Sequence, residues 1–336
     1  MNPKLDNIPK ISVITPCFNA GNLIEELAQS LQQQTFKDFE WCIIDDGSEQ
    51  ETRDVLAKIN DRKDLNTKLA LHEKRGGNFC RNHGFEISDA PYVKFVDADD
   101  LLEPDLLQQQ FDIIENAPMP TVVVSPTKIM MEGKIGRASA VNVDLKSDPL
   151  RSFLIHPTFM HGGCLLPRKI VNDIGGWDDE LTAVQDLDFF RRVLLAEPAV
   201  QIAESAFIYR QHQAAPRISK LAKGQHNKFR SHLLGLNKFQ QLLQENNRLE
   251  QYAVELAKNY DIWGMKAIAL DIPFADQFFE TAKTLSPAKY RSGSRYSQKL
   301  RSVIGDRLTG KLMRSSVWRV THRKLNSIGL WGTKTS

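Results

Sequence analysis

What this sequence lacks narrows it first. No stretch of its 336 residues approaches the ~20 consecutive apolar residues of a membrane-spanning helix. The opening "MNPKLDNIPK" has no apolar core of its own, so a secretory signal is not expected there. Cysteine is scarce: Cys17, Cys42, Cys80 and Cys164 are scattered, with no C-x-x-C pair. Reduced, mostly buried thiols in a cytoplasmic protein are the expectation. No G-x-G-x-x-G follows the first apolar run, where a dinucleotide-binding sheet needs it. Neither an internal repeat nor a low-complexity segment is present. Acid is nearly missing from one region: from Thr281 to Ser336, thirteen Lys and Arg stand against Asp306 alone. The formal net charge is only +3, so the rest of the chain is net acidic. A basic end on an acidic body points to an anionic surface, either membrane lipid or nucleic acid.

What is there reads as an α/β protein. With 41% hydrophobic and 25% charged residues, the chain can bury a sizeable core. "ISVITPCFNA" (11–20), "FEWCIIDDGS" (39–48), "TKLALHE" and "PYVKFVDADD" read as strands. Between them, 22–34, "ETRDVLAKIND" and the segment after Gly76 and Gly77 have helical spacing. Strands apolar on both faces that alternate with helices predict a mostly parallel sheet flanked by helices. Further on, 121–131 and "QIAESAFIYRQH" (201–212) each read as one strand, and 184–198 as a helix. Beyond about residue 225 the pattern is helical. The polar stretch 213–225 divides the chain, giving an α/β domain over 1–220 and a helical, basic region over 221–336.

Two strands end in acid: "IIDDGS" and "FVDADD". In a parallel sheet both clusters fall on the edge where ligands bind. Paired carboxylates would repel a bare phosphate, so a divalent cation is the natural intermediary, with Asp-x-Asp supplying hard oxygen ligands. A hydrated acidic loop capping the next helix also fits the second cluster taken alone.

"SVITPCFN", "FEWCIIDDGS", "RNHGFEISDAPYVKFVDADD" and "GGWDDEL…QDLDFFRR" together resemble the family 2 glycosyltransferases, whose fold is the Rossmann-like GT-A type. The four motifs follow in the expected order through about the first 215 residues.

The resemblance implies inverting transfer of a sugar from a nucleotide-sugar donor, with uridine diphosphate as the leaving group. Thr15, Pro16, Phe18 and Asn19 would lie along the nucleotide, Asn19 alternatively being a helix cap. Asp46 would accept hydrogen bonds from the base, with Asp45 beside it or holding the loop. Arg81 would face the diphosphate or lock the acid loop, and Lys74 and Arg75 are further cations nearby. Asp99 would ligate Mn2+ or Mg2+, with Asp97 on the ribose or bound through water, and His212 as a third ligand or diphosphate contact. Asp100 would be structural.

On the acceptor side, the resemblance makes Asp186 the catalytic base. Gln185 stands where family members carry Glu. His161, Gly162, Gly163, Trp177 and Asp178 would flank the acceptor, although His161 and Trp177 fit ordinary packing equally well. The acceptor would be a glycan or a lipid-linked glycan, in surface polysaccharide or glycoconjugate biosynthesis. The basic region over residues 307–331 mixes apolar and basic residues in a manner suited to lying on an anionic bilayer. That would make the protein cytoplasmic and peripheral at the membrane. A solvated subdomain or a partner interface fits the same region. No recognition motif accompanies the charge, so nucleic acid is not expected.

Overall fold

Strands β1 (Ile11–Cys17), β2 (Phe39–Asp46), β3 (Thr67–His72) and β4 (Tyr92–Phe95) alternate with helices α1 (Leu23–Gln32), α2 (Gln50–Asn60) and α3 (Gly77–Ile87). The computed structural model describes residues 8–139, 148–157, 159–196, 198–211, 222–288 and 305. The four strands pair in parallel in the order β3-β2-β1-β4, and the short β9 (Leu166–Pro167) closes the sheet antiparallel to β4. All eight residues of β2 are buried, as a strand covered on both faces requires.

The two faces are read directly from the period of two. Val13, Trp41 and Ile43 join Leu27 and Leu31 of α1 and Leu56 and Ile59 of α2 in one buried cluster. Ile14 and Ile44 point the other way, onto α3. There Gly84 lets the helix seat closely, since a Cβ would stand 2.4 Å from Ile14 Cγ2. Each fully buried Leu or Ile contributes about 1.5–3 kcal/mol.

After β4 come β5 (Leu101–Leu102), α4 (Leu106–Glu115), β6 (Thr121–Val124), β7 (Thr127–Met131), β8 (Lys134–Ala138) and α5 (Pro149–Ile155). A short 3-10 turn (His161–Gly163), β9, α6 (Arg168–Asp173), α7 (Gln185–Leu195), β10 (Ala199–Ile202) and β11 (Phe207–Gln211) complete the unit. Two expectations are corrected here. Residues 121–131 form two strands in different sheets: β6 pairs with β10, and β7 with β11 and β8. Pro126 between them has no N–H for a ladder and keeps Ser125 extended. Residues 201–212 likewise divide. The N–H groups of Glu204 and Ser205 donate to Gln109 Oε1, and that of Ala206 to Glu103 Oε2. Side chains thus take the donors that a continuous strand would use.

The chain separates into two compact units, Met1–Ile218 and Ser219–Ser336. The second holds α8 (Ala222–Glu245), α9 (Leu249–Ala269) and α10 (Ala275–Leu285), with α9 packed against both others. Its core includes Leu236, Phe239, Leu256, Tyr260 and Phe278, and His232 stacks on Trp263 at 3.7 Å. No helix among the described residues is long and apolar enough to cross a membrane. Most of the basic segment, and His212, lie outside the described residues.

Candidate active site

Because β1, β2 and β4 are parallel, Cys17, Asp46 and the residues after Phe95 all emerge at one edge of the sheet. The loops there are tied to one another. Asp45, fully buried, accepts from the Ser48 N–H at 3.2 Å and from Arg53 Nε at 3.3 Å. Asn19 accepts from the Glu49 N–H at 2.8 Å, and its own N–H donates to Ser48 Oγ at 2.9 Å. Both residues therefore brace the loops. Thr15 sits in the core, where its hydroxyl accepts from Trp41 Nε1 at 2.9 Å. Gly47 is obligatory: its φ is +80°, and a Cβ would meet the Lys74 nitrogen at 2.8 Å.

Asp46 reaches across this approach. Its Oδ1 accepts from the N–H groups of Arg75 and Gly76, at 2.6 and 2.8 Å, just ahead of α3. Beside it opens a cleft of about 390 Å³, lined by Pro16, Phe18, Asp46, Lys74–Phe79, Asp179, Leu181, Thr182 and Gln185, among others. Pro16, Phe18, Asp46 and Gln185 thus meet in one place. Lys74 Nζ lies over the exposed Phe18 ring at 2.8 Å from its centroid. Arg75 lies over Phe79 at 3.6 Å.

A second group gathers on Asp97. Its Oδ1 accepts from Arg81 Nη2 at 2.7 Å and stands 3.3 Å from His161 Nε2. Burial pushes the Asp97 carboxyl up, but His161 and Arg81 outweigh it and hold the group well below the usual carboxylate range. Asp100 goes the opposite way. Burial first, then the charges of Asp97 and Asp99, push it well above that range. Its Oδ1 accepts from the Arg210 N–H at 2.9 Å, while Arg210 Nε donates to the Asp99 carbonyl at 2.8 Å. The acid run is therefore uneven: its surroundings favour the ionised form of Asp97 and the protonated form of Asp100, and Asp99 lies half-buried between them. Among the described residues, no three His, Cys, Asp or Glu side chains converge into a metal cage. Asp97 and Asp99 fit a hard divalent cation that draws its other ligands from phosphate and water.

Trp177 is covered on both faces, stacked on Phe189 at 4.2 Å and under the Arg81 guanidinium at 4.6 Å. It is a packing residue in this structure, 3% exposed. Gly162 and Gly163 answer to packing as well: a Cβ would meet the Phe207 ring at 2.3 Å and the Ser125 carbonyl at 3.2 Å. Asp178 accepts from the Glu180 N–H at 3.0 Å. Gln185 Nε2 donates to the Leu181 carbonyl at 2.9 Å, and Asp186 stands half-buried in the first turn of α7. Val184, immediately before, is left-handed at φ 51°, an unfavourable conformation for a β-branched residue.

Three clamps escape the sequence reading. Asn78 donates to the carbonyls of Asp178 and Leu181, at 2.6 and 3.1 Å. Asn82 takes both the N–H and the carbonyl of Trp177, each at 2.8 Å. Arg210 holds the acid loop as described. Polar side chains spaced along one helix face were the available signal for the first two.

Comparison with known proteins agrees with this geometry. The model of "Glycosyl transferase family 2" matches residues 12–175. The amylovoran biosynthesis glycosyltransferase AmsB of Erwinia amylovora is 24% identical over 316 residues, 89% of this chain and 98% of that one. The GalNAc(5)-diNAcBac-PP-undecaprenol beta-1,3-glucosyltransferase of Campylobacter jejuni is 37% identical over 97 residues, 28% of this chain and 31% of that protein. The match with this chain spans only 36%, 23% and 42% of the length of three other relatives. Among solved structures, S. aureus TarS 1-349 in complex with UDP-GlcNAc has a TM-score of 0.65 at 19% identity, covering 94% of this chain and 92% of that one. The mannosyltransferase PcManGT of Pyrobaculum calidifontis, in complex with GDP-Man and Mn2+, has a TM-score of 0.50 at 15% identity, covering 98% and 89%. Residues 12–175, within the first unit, are thus a family 2 glycosyltransferase domain, and the fold is that of the GT-A structures.

Proposed function

We propose that the protein is an inverting, metal-assisted glycosyltransferase that moves a sugar from a UDP-sugar to a hydroxyl of a glycan or lipid-linked glycan. The observation that carries this reading is the placement of the acid run. At the sheet edge that also bears the Asp46 cleft, Asp97 accepts from Arg81 Nη2 at 2.7 Å and stands 3.3 Å from His161 Nε2, while Asp100 accepts from the Arg210 N–H at 2.9 Å. The nucleoside would occupy the cleft along Phe18, Asp46 and Lys74–Phe79, and Asp46 would orient the base. Asp99, assisted by Asp97, would hold a Mn2+ or Mg2+ ion, with His212 as a further ligand. That ion, when bound, supplies charge stabilisation to the departing diphosphate.

The acceptor hydroxyl attacks the anomeric carbon opposite the diphosphate. The new carbon–oxygen bond forms as the carbon–phosphate-oxygen bond breaks, and Asp186 takes the hydroxyl proton. An Asp suffices as base because the hydroxyl acidifies only as the bond to carbon forms. Acceptor-side residues would be His161, Gly162, Gly163, Asp178 and Gln185, with Trp177 supporting them from the core. The names of the Erwinia and Campylobacter relatives support a role in surface glycan assembly. The basic segment over 281–336 would hold the protein on the cytoplasmic face of an anionic membrane.

The test is release of nucleoside diphosphate from a panel of nucleotide sugars with Mn2+. Asp99→Asn should abolish release by removing the ion, and Asp186→Asn should lower kcat by about 10²–10⁴ with donor affinity kept. Unchanged turnover in Asp99→Asn would overturn the metal assignment.

A further inference from the structure

Four elements of the first unit meet at one buried polar node. Lys94 of β4 donates to Gln110 Oε1 of α4 at 3.0 Å and to the Cys164 carbonyl at 3.4 Å. Gln110 Nε2 donates to the Gly163 carbonyl at 2.8 Å and to Ser125 Oγ, between β6 and β7, at 2.9 Å. Lys94, Gln110 and Ser125 have no exposed surface.

Burying a lysine amino group costs free energy whether it stays charged or gives up its proton, and apolar residues of similar volume would fill the same space. The node does something they cannot: it binds two consecutive carbonyls at the end of the 3-10 turn. The turn's own N–H groups are already used, Gly163 to the Met160 carbonyl and Cys164 to that of His161, each at 3.0 Å. On its other side Gly162 lies hard against the Phe207 ring. The turn is thus fixed between Phe207 and the node, and it carries His161, whose Nε2 stands 3.3 Å from Asp97 Oδ1.

We infer that Lys94 and Gln110 are positioning residues for sugar transfer: through the carbonyls of Gly163 and Cys164 they set the turn that holds His161 against Asp97. The inference rests on the transferase reading above. If the node served packing alone, its loss would lower stability without acting through His161.

Gln110→Glu separates the two. It keeps the volume and the acceptor for Lys94, but turns an oxygen toward the Gly163 carbonyl in place of a donor. With a UDP-sugar and Mn2+, kcat should fall by about tenfold or more, the scale of a small misplacement near the chemistry. UDP affinity in EDTA should stay at the wild-type value, because the Asp46 cleft is built on other elements. In a His161→Ala background, Gln110→Glu should cost nothing further, since the two act as one unit. Additive losses, or an unaltered kcat, would overturn the inference. Should Gln110→Glu fail to fold, Ser125→Ala enters the same cycle, as it removes only one partner of Gln110. If the wild type turns over no donor, the transferase reading fails by itself. Placement is then read from the His161 imidazole resonance: a shift on Gln110→Glu upholds it, and an unmoved signal refutes it.

Discussion

At the scale of single residues, the site depends on backbone positions as much as on charges. Gly47 combines a φ of +80° with a Cβ position 2.8 Å from the Lys74 nitrogen. Gly47→Ala must strain the turn or push away the segment whose next two N–H groups Asp46 holds. A loss of about 1–3 kcal/mol is expected, with weaker UDP binding, measured by urea unfolding and calorimetry. The sequence makes Asp46, Phe18 and Asp97 conspicuous because each lies at or just past the end of a strand. It hides the fact that Thr15 is spent on Trp41 and that Trp177 is covered on both faces, because those contacts join residues 26 and 12 positions apart or more. The glycines at 162 and 163 show the same limit. Their need is set by Phe207 and Ser125, which no local pattern connects to them.

At the scale of elements, α3 is the member that joins the site together. Its first turn lines the cleft, Arg81 grips Asp97, and Asn82 holds the backbone of Trp177 from both sides. Asn82→Ala would leave the Trp177 N–H and carbonyl without these partners, at a cost of about 1–3 kcal/mol. A lower melting temperature is expected, together with reduced turnover, because the loop leading to α7 loses its anchor. A melting temperature equal to that of the wild type would contradict this. Helix and strand identity was readable wherever the period of 3.6 or two ran unbroken, as in α1 and β2. It failed at 121–131 and 201–212, where apolar content continues across Pro126 and across Glu204–Ala206, although the chain changes sheets. The hydrogen bonds that break the second run come from Gln109 and Glu103, about a hundred positions away, beyond any window of local pattern.

At the scale of the whole unit, Lys94 ties stability to pH. Burial, offset in part by the Cys164 thiol nearby, lowers its pKa from 10.5 to about 7. Between those values the unfolded chain binds the proton and the folded one does not. Stability is therefore fully present above the unfolded pKa and is lost as pH falls toward 7, by up to about 1.4 kcal/mol per pH unit. Lys94→Met should flatten that slope between pH 7 and 10, read from urea midpoints at several pH values. An equal slope in wild type and variant would show that the lysine is charged in the fold. The thiols act in the opposite sense from about pH 9 upward, because burial holds all four at about 12 in the fold against 9.0 for a free thiol. Stability falls there as pH rises, equally in wild type and Lys94→Met, so the difference between the two still reads the lysine.

The three attachments along α3 also bear on chain length. A residue inserted between Gly77 and Arg81 would turn everything after it by about 100°, carrying Arg81 from Asp97 and Asn82 from Trp177 together. The tip of the β7–β8 hairpin, where Glu132 and Gly133 are exposed, has no such attachments among the described residues. Gaps and insertions among descendants of this sequence should therefore collect at that hairpin, while α3 keeps its count of residues even where their identities drift.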